Sequence, residues 1–326
     1  MKIKFYPGFV VYKNGRGPTY VTPHSGPALE TTTSRDDNSE TVASLCWLKT
    51  GGTLVVSNIP RKRLLGVDFN RDIPPPEKAL GYYEKFKEDE DQEALYKYRK
   101  RYAFVAKDME DYRNRFKMYR DFWNEIKKGH FIVLVHRAFT RLKAIPSVMD
   151  LSTFQGRGID TRFLKRVVSD INTKYSEFFE LTDFEYKNVA YLEQKRAINN
   201  ILRIYGDFDL KKIKADFLIN IKKDLSVIKR YANKRLKERL DDDFSPQNFL
   251  LATRSALEKI GNPKITIEHV FKGSLATGPK RQLFPARNRI IIQFEPTTFL
   301  NFWYPNEASD MIIEIVNRVT ERSINN

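Results

Sequence analysis

Apolar residues in this chain fall into short runs, separated by long charged stretches with helical periodicity. Residues 9–12 and 19–21 read as strands joined by a turn through Asn14, Gly15, Gly17 and Pro18. Residues 39–48 read as a helix with Ser39 as its N-cap and Gly51-Gly52 as its stop. Residues 53–57 form the next predicted strand, and Pro74-Pro75-Pro76 end any regular element after it. Residues 77–128 are strongly helical. Residues 131–135 are five apolar residues in a row, the pattern of a strand buried on both faces of a parallel sheet. Helical segments are predicted over 160–203. In the charged stretch from 210 to 240, Ile213, Phe217, Ile221, Leu225 and Ile228 trace one helical face. Residues 264–267 and 289–296 are predicted strands, the latter after a loop containing Gly273 and Gly278, and 307–322 a closing helix. The alternation predicts an α/β fold with a mostly parallel sheet. It reads as one domain over 1–326, with helical insertions at about 77–128 and 205–260.

Composition narrows the class. The chain has 326 residues, 41% of them hydrophobic, enough to bury a sizeable core. Its one cysteine, Cys46, excludes an intrachain disulfide and any Cys-rich zinc module. No apolar run approaches the roughly 20 residues needed to span a bilayer. Residues 1–8 lack the apolar core of a signal peptide. A cytoplasmic protein with no membrane partner is expected. The net charge of +16 favours anionic ligands, nucleic acid among them, but no recognition motif accompanies it. Aromatic residues among the lysines and arginines of 96–102 fit the buried stripe of an amphipathic helix better than a base-stacking surface.

Candidate chemistry sits where predicted strands end. His24 follows the strand at 19–21, in the turn Pro23-His24-Ser25-Gly26. A histidine there can be a metal ligand, a base or a plain turn residue. Asp36 and Asp37 precede the helix at 39–48, Asn70 and Arg71 occupy a loop before the prolines, His136 ends the strand at 131–135, and Glu295 ends the strand at 289–296. Two histidines and a carboxylate are the ligand set of many catalytic zinc sites. A separate glutamate can serve as general base, and an arginine beside an asparagine can clamp a carboxylate.

These segments together resemble the N-formylglutamate amidohydrolase family. The resemblance rests on Pro23-His24-Ser25-Gly26, Arg35-Asp36-Asp37, Asp68-Phe69-Asn70-Arg71, Val133-Leu134-Val135-His136 and Gln293-Phe294-Glu295, all in family order. The same order is similar to that of the wider zinc carboxypeptidase and aspartoacylase group. The resemblance implies a phosphorylase/hydrolase-like fold with a central mixed sheet. It implies one Zn2+ per chain, held by His24, one of Asp36 or Asp37, and His136. It assigns the substrate carboxylate to Asn70 and Arg71, and the base to Glu295. Spacing to Val42 slightly favours Asp36 over Asp37.

Two departures stand out. Carboxypeptidases place a carboxylate ligand three residues after the first histidine; here that position is Pro27, with Glu30 as a substitute. The family has serine after the second histidine, where this chain has Arg137. Arg137 is therefore expected either to stabilise an oxyanion or bind a second acidic group, or to be a surface arginine. The expected activity is zinc-dependent hydrolysis of an N-acyl amino acid, N-formyl included, or a related small acidic amide. His and Asp ligands also accept other divalent ions. The competing expectations are a non-catalytic basic protein that binds nucleic acid or another polyanion, and a carboxypeptidase-type peptidase.

Overall fold

Short runs rich in β-branched residues build an eight-stranded sheet among the described residues, which in this computed structural model are 1–27, 35–88, 92–157, 159–213, 215–270 and 289–325. The strands are β1 (Lys2–Tyr6), β2 (Phe9–Asn14), β3 (Thr19–Thr22), β4 (Gly52–Ser57), β5 (Phe131–Val135), β6 (Ser147–Ser152), β7 (Lys264–Ile267) and β8 (Ile290–Pro296). Their spatial order is β1-β2-β4-β3-β5-β8-β6-β7. The centre, β4-β3-β5-β8, is parallel, as is β6-β7; β1-β2-β4 and β8-β6 pair antiparallel. The expected mixed, mostly parallel α/β sheet is therefore present.

Period-two alternation divides the core between the two sheet faces. Tyr20, Leu54, Val133, Val135, Ile292 and Phe294 face one layer. It contains α1 (Ser39–Thr50), α6 (Thr161–Lys174), α12 (Thr298–Trp303) and α13 (Pro305–Asn325). Val21, Val55, Ile132, Leu134 and Ile291 face the other, built from α5 (Met109–Ile126) and the loop after β4. Phe69 from that loop stacks on Phe122 with ring centroids 4.0 Å apart. Its complete burial contributes roughly 2–3 kcal/mol and fixes the loop against the sheet.

The remaining helices form two accessory groups. The first is α2 (Pro76–Gly81), α3 (Tyr83–Lys87) and α4 (Gln92–Arg101), within the expected 77–128 insertion. After α7 (Ser176–Leu181) comes α8 (Asp183–Tyr205), then α9 (Ala215–Tyr231), α10 (Lys234–Asp242) and α11 (Pro246–Lys259). These last four share their own apolar cluster, with Ala190, Ile198, Ile201, Ile221, Ile228, Phe249 and Ala256 buried. The second half of α8 thus packs with the 205–260 insertion. Ile213, Ile221 and Ile228 of the expected face are buried.

Three local features differ from the sequence reading. Residues 2–6 form an edge strand. Ser147–Ser152 forms β6, masked in the sequence by Asp150 inside a short run with serine at each end. The N-cap of α1 is Asn38, left-handed at φ 60°, and Ser39 is the first helical residue. Asp36 N–H donates to His24 O at 2.9 Å, so the chain turns sharply between that contact and the helix. Glu30, Gly273 and Gly278 lie outside the described residues.

Candidate functional site

The carboxyl ends of β3, β4, β5 and β8 lie along one edge of the sheet, the place where open α/β sheets build sites. His24 lies two residues beyond β3. Its turn is tied to β4 by Ser25 Oγ, which donates to Ser57 O at 2.7 Å. A Cβ on Gly26 would fall 1.7 Å from Ile59 O, so only glycine allows this approach of the two backbones. His136 immediately follows β5, and its N–H donates to Phe294 O at 2.9 Å. The register Val135↔Phe294 places His136 level with Glu295, and Glu295 lies opposite Asp150 of β6. His136, Glu295 and Asp150 therefore occupy neighbouring positions on the face away from Phe294.

Three ligand atoms converge at this edge. His24 Nδ1 and His136 Nδ1 lie 3.1 Å and 2.8 Å from the same oxygen, Asp36 Oδ2. The three residues each offer an atom within 4.8 Å of the others, the spacing of a metal-binding group. The remaining ring nitrogens are also held. His24 Nε2 lies 2.9 Å from Asp68 Oδ1, and His136 Nε2 lies 3.3 Å from Asn70 Nδ2. Asn70 Oδ1 is buried without a partner. Turning the amide by 180° exchanges the two atoms and lets Nε2–H donate to the carbonyl oxygen, leaving Nδ1 as the lone-pair nitrogen. Outer carboxylate and amide partners of this kind orient metal-ligating histidines.

Asp68 is the residue that the candidate set omits. It is fully buried, and its Oδ2 pairs with Arg61 Nε and Arg63 Nη2, both at 2.9 Å. Burial favours its protonated form, but Arg61, Arg63 and His24 prevail and hold its pKa well below the usual carboxylate range. Asp36 behaves likewise: burial acts upward, and the two histidines hold it well below its ordinary value. Arg61 is raised although burial opposes its charge, because Asp68, Asp36 and Glu295 all act on it. Glu295, Asp36 and Asp68 thus share the field of one guanidinium. The signal for Asp68 was present in the quoted Asp68-Phe69-Asn70-Arg71 segment, but its partners are 44 residues upstream and five to seven residues away in a loop.

The loop carrying these groups is pinned by the first helical insertion and α5. Trp123 Nε1 donates to Phe69 O at 3.0 Å and Tyr119 OH to Arg71 O at 2.6 Å. Arg115 donates to the carbonyls of Arg63, Leu64 and Gly66. Asp68 N–H donates to Ala103 O at 2.8 Å.

The other candidate residues are placed as follows. Asp37 is 40% exposed and faces Arg35 at 3.5 Å and Arg137 at 3.7 Å, outside the three-residue group. Arg71 directs Nε to Arg99 O and Nη1 to Asn70 O. The Arg137 side chain is buried, with its guanidinium on Thr298 Oγ1, Arg35 O and the Phe139 ring. Among the described residues no hydrogen bond joins it to His24, Asp36, His136 or Glu295. Glu295 receives a hydrogen bond from Gln293 Nε2 and borders a narrow pocket.

Comparison with known proteins adds little. No family model matches the sequence, and no curated protein matches it significantly. The chain is similar to gene product Atu2144 from Agrobacterium tumefaciens, with a TM-score of 0.44 and 10% identity over 98% of this chain and 96% of that one. At that score the likeness bears on neither fold nor function. No helix among the described residues is long and apolar enough to cross a membrane.

Proposed function

We propose that the protein is a metal-dependent amidohydrolase acting on a small N-acyl amino acid, N-formyl included, or a related carboxylate-bearing amide. The observation that carries this reading is the convergence of His24 Nδ1, Asp36 Oδ2 and His136 Nδ1 beside Glu295. The donor set fits a divalent cation: two imidazoles and a carboxylate, with Asp68 and Asn70 behind the rings. Asp36 and Asp68, whose pKa values are held well below the usual carboxylate range, and Glu295 all act on the Arg61 guanidinium beside the group.

Zinc is the expected ion, and once bound it supplies the positive charge that makes a water acidic near neutral pH. Glu295 accepts the proton of the attacking water and returns it to the leaving amine, so that water and amide become carboxylic acid and amine. Gln293 holds the Glu295 carboxylate in place. Arg61 contributes fixed positive charge beside both Asp36 and Glu295. Asn70 orients His136, and Arg71 lies next to it at the mouth of the loop.

Elemental analysis of wild type beside a His24→Ala/His136→Ala double variant tests the site. About one zinc per chain, lost in the double variant, is expected. Glu295→Gln should retain the metal and lose N-acyl amino acid hydrolysis by about 100-fold or more. Near-normal turnover in that variant, or no metal uptake by wild type, would sink the reading.

A second reading is favoured by one surface. Lys222, Lys223, Arg230, Arg235 and Arg239 of α9 and α10 are exposed and make no ion pair among the described residues. Strongly salt-dependent binding to nucleic acid, by a protein that takes up no metal, would support a polyanion-binding role instead.

A further inference from the structure

Two of the three converging ligands are placed by the sheet. His24 lies two residues beyond β3, and His136 immediately follows β5. Asp36 has no such support, because residues 35–38 form neither strand nor helix ahead of α1. Its own N–H reaches the β3 tip, donating to His24 O at 2.9 Å, while its carbonyl accepts locally from Ser39 N–H at 3.1 Å. A single backbone bond to the tip leaves the carboxylate free to swing. A group that must meet two histidines at once needs a further tether.

Arg137 supplies one. It stands next to His136, and its guanidinium reaches the residues on both sides of Asp36. Nη2 donates to Arg35 O at 3.4 Å and lies 3.7 Å from Asp37 Oδ2. The adjacent pair His136-Arg137 therefore meets the adjacent trio Arg35-Asp36-Asp37, with Asp36 Oδ2 2.8 Å from His136 Nδ1 in the middle. The carbonyl is the firmer of the two outer contacts, since the Asp37 side chain is 40% exposed and its attraction is screened. On its other side the guanidinium is anchored. Nη1 donates to Thr298 Oγ1 at 3.2 Å, and the Phe139 ring lies 4.8 Å away. Thr298 Oγ1 donates in turn to Glu193 of α8 at 2.7 Å, and Glu193 also accepts from Thr140 N–H and acts on Arg137 through its charge. The backbone around the anchor is fixed as well, with Ala138 N–H on Pro296 O and Thr298 N–H on Ala138 O, both at 2.9 Å. The side chain is 6% exposed, so its charge is held out of water and offset by Asp37 at one end and Glu193 at the other.

We propose that Arg137 is a positioning residue: it fixes the Arg35-Asp36-Asp37 segment so that the Asp36 carboxylate stays between His24 and His136, and with Thr298 and Glu193 it ties that segment to α12 and α8. It acts through Asp36 and touches neither the ion nor the substrate. The inference rests on the metal-binding part of the proposed function and is independent of hydrolysis. It gives a reason for the departure at this position. Where the N-formylglutamate amidohydrolase family has serine, a hydroxyl is too short to bridge Arg35 O and Thr298 Oγ1, whereas a planar guanidinium presents donors in both directions.

The test is a double-mutant cycle on zinc affinity, measured by chelator competition on the full chain, with Arg137→Met and Asp36→Ala as the two changes. Arg137→Met is expected to weaken zinc binding about 10–100-fold in the wild-type background and less than about 3-fold in the Asp36→Ala background, where no carboxylate is left to position. Arg137→Lys keeps the charge but bonds one partner at a time, and should recover part of the affinity. Loaded with Co2+, the Arg137→Met variant should shift its visible absorption toward that of Asp36→Ala. An equal loss in both backgrounds, or wild-type affinity in Arg137→Met, overturns the proposal. A raised KM at unaltered zinc affinity also overturns it, and would make Arg137 a substrate contact through Nε, which is buried without a hydrogen-bond partner. If Arg137→Met does not fold, the same cycle is read with Arg137→Lys, for which a loss of about 3–10-fold is expected in the wild-type background only. Coupling between Arg137 and Asp36 in a protein that hydrolyses no N-acyl amino acid leaves this inference standing and removes the amidohydrolase. Hydrolysis without that coupling does the reverse, and no zinc uptake by wild type removes both.

Discussion

Two groups of cations approach the same sheet edge and are treated differently by the fold. Arg61 and Arg63 close on Asp68 at 2.9 Å inside a loop clamped by Arg115, Tyr119 and Trp123. Arg141 and Lys143 stand at a pocket wall with acids around them and none bonded to them. The first group is engaged in holding a histidine and its loop in place. The second keeps its donors. Positive charge near a site therefore means little until its partners are known: the same residue types are bonded to a buried carboxylate in one loop and have no bonded acid among the described residues in the other.

The largest effect should come from breaking the first group. Asp68→Asn leaves the buried Arg63 and the half-buried Arg61 without their anion and removes the carboxylate behind His24. A loss of about 3–5 kcal/mol in stability is expected by urea unfolding. Zinc affinity should fall about 10–100-fold in a chelator competition. The Arg141→Gln/Lys143→Gln variant should lie within about 1 kcal/mol of wild type in the same unfolding assay. Equal destabilisation by both changes would erase the distinction.

Asp224 sharpens the second group. Burial raises its carboxyl from 3.8 to about 6, against the pull of Arg141, Gln194, Lys143 and Lys223. The folded chain therefore binds the proton more tightly than the unfolded one. The resulting stability is fully present below about pH 4 and is lost as pH rises through about 6. The neutral isostere Asp224→Asn should stabilise the protein at pH 7–8 by up to about 3 kcal/mol. It should also flatten the dependence between pH 4 and 7. Unfolding midpoints across that range check this, and an unchanged slope would place the titration elsewhere.

The smallest effect is expected at Asp37. With a side chain 40% exposed and partners at 3.5 Å and 3.7 Å, Asp37→Asn should change stability by less than about 1 kcal/mol and leave zinc content intact. Loss of zinc in that variant would reverse the roles of Asp36 and Asp37.

Much of the fold was legible because short apolar runs between helical stretches have few alternatives. Residues 19–21, 53–57, 131–135 and 289–296 all became strands of the parallel centre. The tips that carry His24, His136 and Glu295 followed from those strand ends. β6 was not legible, since Asp150 interrupts its pattern and its buried carboxylate is satisfied by Thr266, His269 and Val270, more than a hundred residues away.

Within the site, the sequence by itself determined which residue types stand at strand tips, because alternation and strand length are local properties. It favoured Asp36 over Asp37 only slightly, by spacing, since the two are adjacent and chemically identical. The fold separates them: Asp36, whose N–H bonds His24 O, has its carboxylate between the two histidines, and the Asp37 side chain is 40% exposed. Nor did the sequence place Arg61 or Arg63 at the site beside Arg71 and Arg137, the two arginines it singled out. Partnering is a property of the tertiary structure, because a guanidinium is scaffold or ligand contact according to which carboxylate the fold brings within 3 Å of it.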